Sequence, residues 1–195
     1  MTTEHLPAAA RPLALITGVG RTVGIGAGIA RRLAASGWDI ALVMCHCESV
    51  DSGLLDTTVE SFDRHFAVNA RATWLLIREY GTRFSLAHGS GRIISLTSDH
   101  TVGNLPYGAS KGALDRITLA AARELAHLGV TANVINPGPV DTGWMSDELR
   151  AACVSRTPLG RLGTPQDTAH LVDFLCSPEG QWINGQLLMS NGGFA

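Results

Sequence analysis

The amino-acid sequence predicts an α/β fold, a parallel sheet with helices on both faces. Short apolar runs alternate along the chain with longer segments whose apolar residues recur every three or four positions, the pattern of strand and helix in turn. The first run breaks directly into a glycine-rich turn that opens a helical segment. The second, near its end, is apolar without alternation, as a strand covered on both faces is.

Residues 13–17 form the first strand. It ends in Gly18-Val19-Gly20-Arg21-Thr22-Val23-Gly24-Ile25-Gly26, after which Ile25, Ile29 and Leu33 recur at helical spacing. Residues 39–44 read as the second strand. Phe62, Phe66, Ala70, Trp74 and Ile77 mark one face of a long helix that reaches about Arg83. Residues 92–97 are a third strand. Pro106 suits the first turn of a helix carrying Leu114, Ile117, Ala121 and Leu125. Residues 130–135 are a fourth strand, ended by Asn136-Pro137-Gly138, and a loop is expected from there to about Thr164. Pro165 opens another helix that runs to Leu175, and residues 186–189 are a last short strand before Asn191-Gly192-Gly193. No internal repeat and no linker divides the chain, so residues 1–195 are expected to form one domain.

Composition narrows the function. With 195 residues, 45% of them hydrophobic, and a formal net charge of -2, the chain is long enough for one core and has no basic excess for nucleic acid. No apolar run approaches the roughly 18 residues of a membrane span. Residues 1–12 lack a charged-then-apolar signal pattern, so a cytoplasmic location is expected. Cysteines 45, 47, 153 and 176 make no disulfide framework. Cys45-His46-Cys47 is tighter than the usual zinc spacing of about two to four intervening residues, and no metal is expected there.

The placement of one residue is informative. The 15 Lys and Arg residues comprise fourteen arginines and a single lysine, Lys111, four positions after Tyr107, one of two tyrosines. On a helix, residues four apart share a face, so phenol and ammonium are neighbours. Lysine is a compact ammonium whose pKa shifts readily, which suits the pair to proton chemistry. An arginine-biased composition explains the arginines, but not the position of the lysine. The glycine turn suggests a phosphate site, since glycines let the backbone approach a pyrophosphate and the next helix offers free amides and a positive dipole end. In isolation such a turn is as often plain punctuation, and its spacing departs from Gly-x-Gly-x-x-Gly.

Several motifs resemble the short-chain dehydrogenase/reductase family together. They are Thr17-Gly18 leading to Gly24-Ile25-Gly26, Asn69 in the long helix, Ser98 after the third strand, Tyr107-x-x-x-Lys111, and Asn136-Pro137-Gly138-Pro139-Val140-Asp141-Thr142. Arg161-Leu162-Gly163-Thr164-Pro165 and the Asn191-Gly192-Gly193 ending extend the resemblance along the chain from Pro12. The helix and tail pattern is nearest in feel to β-ketoacyl-carrier-protein reductases. The resemblance implies a Rossmann-like sheet and reversible hydride transfer between a nicotinamide cofactor and a carbonyl or alcohol substrate. Tyr107 would give its proton to the developing alkoxide. Lys111, with the oxidised nicotinamide, would lower the phenol's pKa and hold ribose hydroxyls. Ser98 would hydrogen-bond the substrate oxygen. Asn69 would position a proton-relaying water. Gly18, Arg21, Gly24, Ile25 and Gly26 would hold the phosphates. Thr142 and the backbone from Pro137 and Gly138 to Val140 would fix the nicotinamide. His100, Trp144 and Met145 would stand near the substrate, with solvated or core positions as the plain alternatives. The resemblance also implies a homodimer or homotetramer through helices within 57–86 and 106–127.

Against the family pattern the chain is short. Ala41-Leu42-Val43-Met44 runs directly into Cys45-His46-Cys47-Glu48, which resembles the end of the family's fourth strand and its Asn-Ala-Gly turn. About two strands with their helices are lost, and with them the elements that contact adenine and the acid that would bind the adenosine ribose. One segment must then serve for two slots on opposite sides of the first strand. The fourth-strand slot is expected, because an empty central slot leaves buried backbone groups unpaired. A right-handed crossover into that slot would move the first helix to the opposite face from the family's. A left-handed crossover that keeps the helix in place is the rarer alternative. Arg21 and the missing acid favour NADP, with NAD possible. The rival to an enzyme is a catalytically impaired oligomerisation partner or scaffold.

Overall fold

The computed structural model describes residues 14–36 and 41–194. Five parallel strands lie in chain order: β1 (Leu15–Thr17), β2 (Leu42–Met44), β3 (Gly91–Leu96), β4 (Val130–Asn136) and β5 (Leu187–Met189). Leu15 pairs with Leu42, Leu42 with Ile93, and Val134 with Leu187. The sheet is continuous, as expected from occupation of the fourth-strand slot. The readings of residues 1–13 and of positions 39 and 40, at the start of the second predicted strand, lie outside the described residues.

Alternate strand residues face opposite sides. Toward one side point Val43, Ile94, Leu96 and Ile135, covered by Ile29 and Leu33 of α1 (Ile25–Ala35) and by Ala169 and Val172 of α6 (Pro165–Cys176). Toward the other point Leu42, Met44, Ile93, Val130 and Ala132, covered by Ile77 of α3 (Ala72–Arg83) and by Ala121 and Ala122 of α4 (Leu105–Glu124). Each step from β1 to β5 moves the same way across the sheet, so helices on opposite faces mean crossovers of opposite hand. The connection through α1 therefore has the opposite hand to those through α3 and α4. This corrects the expected right-handed crossover, which would have set α1 beside α3. The reason is the fit between α1 and α6. At Gly28 a Cβ atom would lie 2.9 Å from the Pro165 Cβ. Further along, Arg32 pairs with Asp173 at 2.8 Å. The chain leaves β1 toward one face and β2 toward the other, which opens a crevice at the carboxyl ends of these two strands.

Two further expectations are corrected. The long helix is α2 (Val59–His65), a π-helical segment (Phe66–Arg71) and α3 in continuous succession. A π turn inserts residues relative to the 3.6 repeat and shifts the phase of the face. The buried positions are His65, Asn69, Ala70, Thr73 and Ile77, while Phe62 and Trp74 remain 37% and 47% exposed. The second correction concerns the loop expected before Thr164, which contains α5 (Asp147–Arg156). Ser146 caps it by accepting from the Leu149 amide, and Asp147 and Glu148 suit the positive end of its dipole. No residue of α5 is buried, so no apolar periodicity marked it in the sequence.

Candidate active site

All five strands end on one side, so Gly18, Cys45, Ser98, Gly138 and Asn191 follow strand ends along a common edge. Helix α4 starts at this edge, with Pro106 in its first turn. A clasp holds that start to the segment after β2: the Asn104 amide donates to Asp51 Oδ1 at 2.7 Å and to Ser49 Oγ at 3.3 Å, and the Leu105 amide donates to the Ser52 carbonyl at 2.9 Å. Tyr107 and Lys111 follow on the next turns.

Lys111 is 2% exposed, and its Nζ donates to the Leu96 carbonyl at 2.8 Å. The ammonium lies over the Tyr107 ring, 5.8 Å from its centroid. Burial pushes its pKa down, while Cys47, Cys45 and Asp115 work against the fall. Burial pushes the Tyr107 phenol up, Cys47 adds to the rise, and a hydrogen bond with Ser98 opposes it. The lowering expected from Lys111 does not figure among the causes of this shift in the protein alone; the ammonium is turned to the Leu96 carbonyl. Ser98 also accepts from the His100 amide at 3.1 Å, which fixes the turn after β3.

Asn69 sits in the π segment and is fully buried. Its Nδ2 donates to the Glu48 carbonyl and to Ser110 Oγ, each at 2.9 Å, and its Oδ1 accepts from the Glu48 amide at 2.8 Å. It therefore ties the post-β2 segment to the turn of α4 between Tyr107 and Lys111, leaving one lone pair of Oδ1 for a further donor. Sequence reasoning missed Ser110 and the Asn104 clasp. It also weighed Cys45-His46-Cys47 as a metal motif and as a turn, but not as neighbours of the tyrosine. His46 Nδ1 shares a hydrogen with Thr17 Oγ1 at 2.7 Å, and the Cys45 amide donates to the same oxygen at 3.3 Å. Their position after β2, where the family has Asn-Ala-Gly, was the available signal.

The glycine turn lies beside β2. Gly18 has φ of +72°, and a Cβ there would come within 2.5 Å of the Cys45 carbonyl group. Gly26 approaches the Gly18 carbonyl, where a Cβ would lie at 2.8 Å. Gly24 is the N-cap of α1 and supplies no side-chain cap, so the first amides of that helix, from Ile25 onward, remain free to bind an anion. Arg21 is exposed on the turn. Across the crevice, the segment from Pro137 to Thr142 is pinned: the Gly163 amide donates to the Pro139 carbonyl at 3.0 Å, and the Asp141 amide to the Gly163 carbonyl at 3.1 Å. Val140 is buried by this bridge, whereas Thr142 is half-buried at the edge. His100 and Trp144 are exposed, and Met145 is half-buried. These residues fit a nicotinamide nucleotide on its phosphate and nicotinamide sides: free helix amides, a close glycine turn, and a lysine facing a tyrosine.

A family model described as enoyl-(acyl carrier protein) reductase matches residues 44–195. The chain belongs to the short-chain dehydrogenase/reductase family. That description shares the acyl-carrier-protein theme of the tail pattern. An uncharacterized oxidoreductase of Bacillus subtilis, YjdA, is 42% identical over 163 residues, 81% of this chain and 65% of the relative. An Arabidopsis thaliana chloroplastic protein named as NADPH-dependent aldehyde reductase-like is 39% identical over 149 residues, 72% of this chain and 55% of the relative. The chain thus spans roughly three fifths of the length of these short-chain dehydrogenase/reductase relatives. A blue fluorescent protein from a metagenomic library, solved in complex with NADPH, superposes with a TM-score of 0.83 at 28% identity, over 94% of this chain and 98% of that one.

Proposed function

We propose that this chain is an NADP(H)-dependent oxidoreductase that interconverts a carbonyl and an alcohol. The observation that carries the reading is the convergence of Ser98, Tyr107 and Lys111, with Ser98 near enough to the phenol to oppose the rise in its pKa and the Lys111 ammonium over its ring. NADPH-dependent relatives and the NADPH-bound neighbour support the cofactor. Bound in the crevice, the nicotinamide supplies or accepts the hydride. The amides at the start of α1 and the Gly18 turn hold phosphate, while Val140 and Thr142 hold the nicotinamide side.

In the reducing direction Tyr107 gives its phenolic proton to the carbonyl oxygen as the carbon takes hydride, so an alcohol and a phenolate result. Ser98 donates to that oxygen and stabilises its growing charge. Burial holds the phenol protonated in the free protein, which makes it the acid; for the reverse step Tyr107 would act as the phenolate, a form that a bound oxidised nicotinamide would favour by its charge. Asn69 keeps the segment after β2 and the Tyr107-Lys111 turn in register, and its spare lone pair suits it to hold a relay water. The test is oxidation of NADPH by the homogeneous protein against a panel of aldehydes and ketones, followed by absorbance. Turnover supports the reading, and its absence across the panel with NADPH bound rejects it.

A second reading has its own observation. Phe66, Ala67, Ala70, Trp74 and Ile117 line an open groove on the helices that the family resemblance assigns to an interface. A homodimer through this face fits the enzyme; an inactive chain that co-purifies with a longer reductase would favour a scaffold.

A further inference from the structure

A dinucleotide in a doubly wound sheet spans two mononucleotide-binding halves that flank the strand bearing the glycine turn. In this chain the half beyond β2 is built from β2, β3 and β4, with Ser98, Tyr107, Lys111 and the pinned segment after β4 at their carboxyl ends. The other half would lie past β1. Among the described residues β1 is the edge of the sheet. Its flank is open: Leu15 is 56% exposed, Val19 43% and Val23 59%. The Leu15 amide donates to the Ala41 carbonyl, so the backbone groups of the next residue, Ile16, point away from β2 toward that open edge.

The strand after α1 would ordinarily end in a carboxylate for the adenosine ribose. Here that strand is β2, on the other side of β1, and it is followed by Cys45 and His46. His46 is bonded to Thr17, and Glu48, the next acid, is paired with Arg64 at 2.8 Å. The opposite hand of the α1 crossover therefore keeps the phosphate crevice without rebuilding the adenosine half.

Resting on the reading above, we propose that this chain grips a nicotinamide nucleotide by its nicotinamide mononucleotide half, and that the adenosine half extends past the β1 edge with no wall behind it among the described residues. Recognition then lies in the nicotinamide, its ribose and the adjoining phosphate. Arg21 adds little, because an exposed guanidinium is screened by solvent.

The experiment compares three probes on the full chain. NADPH and reduced nicotinamide mononucleotide are titrated separately, with energy transfer from the four tryptophans to the reduced nicotinamide as the signal. Adenosine 2′,5′-bisphosphate is then added as a competitor against bound NADPH. The expected result is that the mononucleotide binds within tenfold of NADPH and that the bisphosphate does not displace NADPH. Tight NADPH with a mononucleotide more than tenfold weaker, or displacement by the bisphosphate, overturns this inference alone and leaves the oxidoreductase reading in place. Binding of neither nucleotide by a cooperatively folded protein overturns both.

Discussion

Tyr107 and His46 show how burial sets the chemistry of single groups. Tyr107→Phe removes one hydroxyl and leaves the ring over which Lys111 lies. Turnover of NADPH with an accepted carbonyl is expected to fall by about 10² to 10⁴, the usual worth of a positioned proton donor, with an unchanged circular dichroism spectrum. Unaltered turnover would remove Tyr107 from the mechanism. His46 has its pKa held below 6.5, first by burial and then by Lys111. In the unfolded chain the imidazole takes up its proton near pH 6.5, while the folded protein resists. Between that value and the lower folded pKa the unfolded state binds more protons, so stability falls as pH drops through this window. His46→Gln should flatten that slope. Urea midpoints at pH 7.5 and 5.5 for both proteins measure it, and equal slopes would show that His46 is not responsible.

Among the elements, α1 is held where it is by its contact with α6. Gly28 is the point of closest approach, with the Pro165 backbone carbonyl 3.1 Å from a would-be Cβ. Gly28→Val overpacks this seam and is expected to destabilise the protein by about 1–3 kcal/mol. In the proposed function the same helix holds the phosphates with its N-terminal amides, so NADPH affinity should weaken with it. Denaturant unfolding and tryptophan energy transfer give the two readouts, and a variant as stable as the parent would mean that α6 does not fix α1. Helix α6 itself is well anchored: Thr164 and Asp167 form a capping box, and Arg161 pairs with Asp167 at 2.7 Å.

At the level of the whole molecule, among the described residues the shortened sheet has its edge at β1 and an apolar stripe on the other side, on the π segment and α3. No helix among the described residues is long and apolar enough to cross a membrane. Trp74 is 47% exposed, with the Arg78 guanidinium 5.8 Å from its ring centroid. A homodimer through this stripe buries the ring, and Trp74→Ala would then remove its large apolar contact at the centre. Sedimentation velocity is expected to show a dimer for the parent and a monomer for the variant. A parent that sediments as a monomer would refute the interface.

Alternation of apolar runs and helical periodicity was enough to give a parallel sheet, since each strand is a local pattern; the place of β2 between β1 and β3 followed from the family resemblance together with the need to pair buried backbone groups. The pairing of Tyr107 and Lys111 was legible because they share one helix four residues apart, whereas Ser98 joined them only through the family resemblance. The π segment was invisible, because the spacing of Phe62, Phe66, Ala70 and Trp74 is equally regular on a surface face. Helix α5 was hidden by its lack of a buried side. Tertiary structure alone decided the hand of the α1 crossover and the rise in the Tyr107 pKa. Both depend on what packs against the group from distant segments, α6 on α1 and the post-β2 turn on the phenol, and no local pattern encodes contacts of that kind.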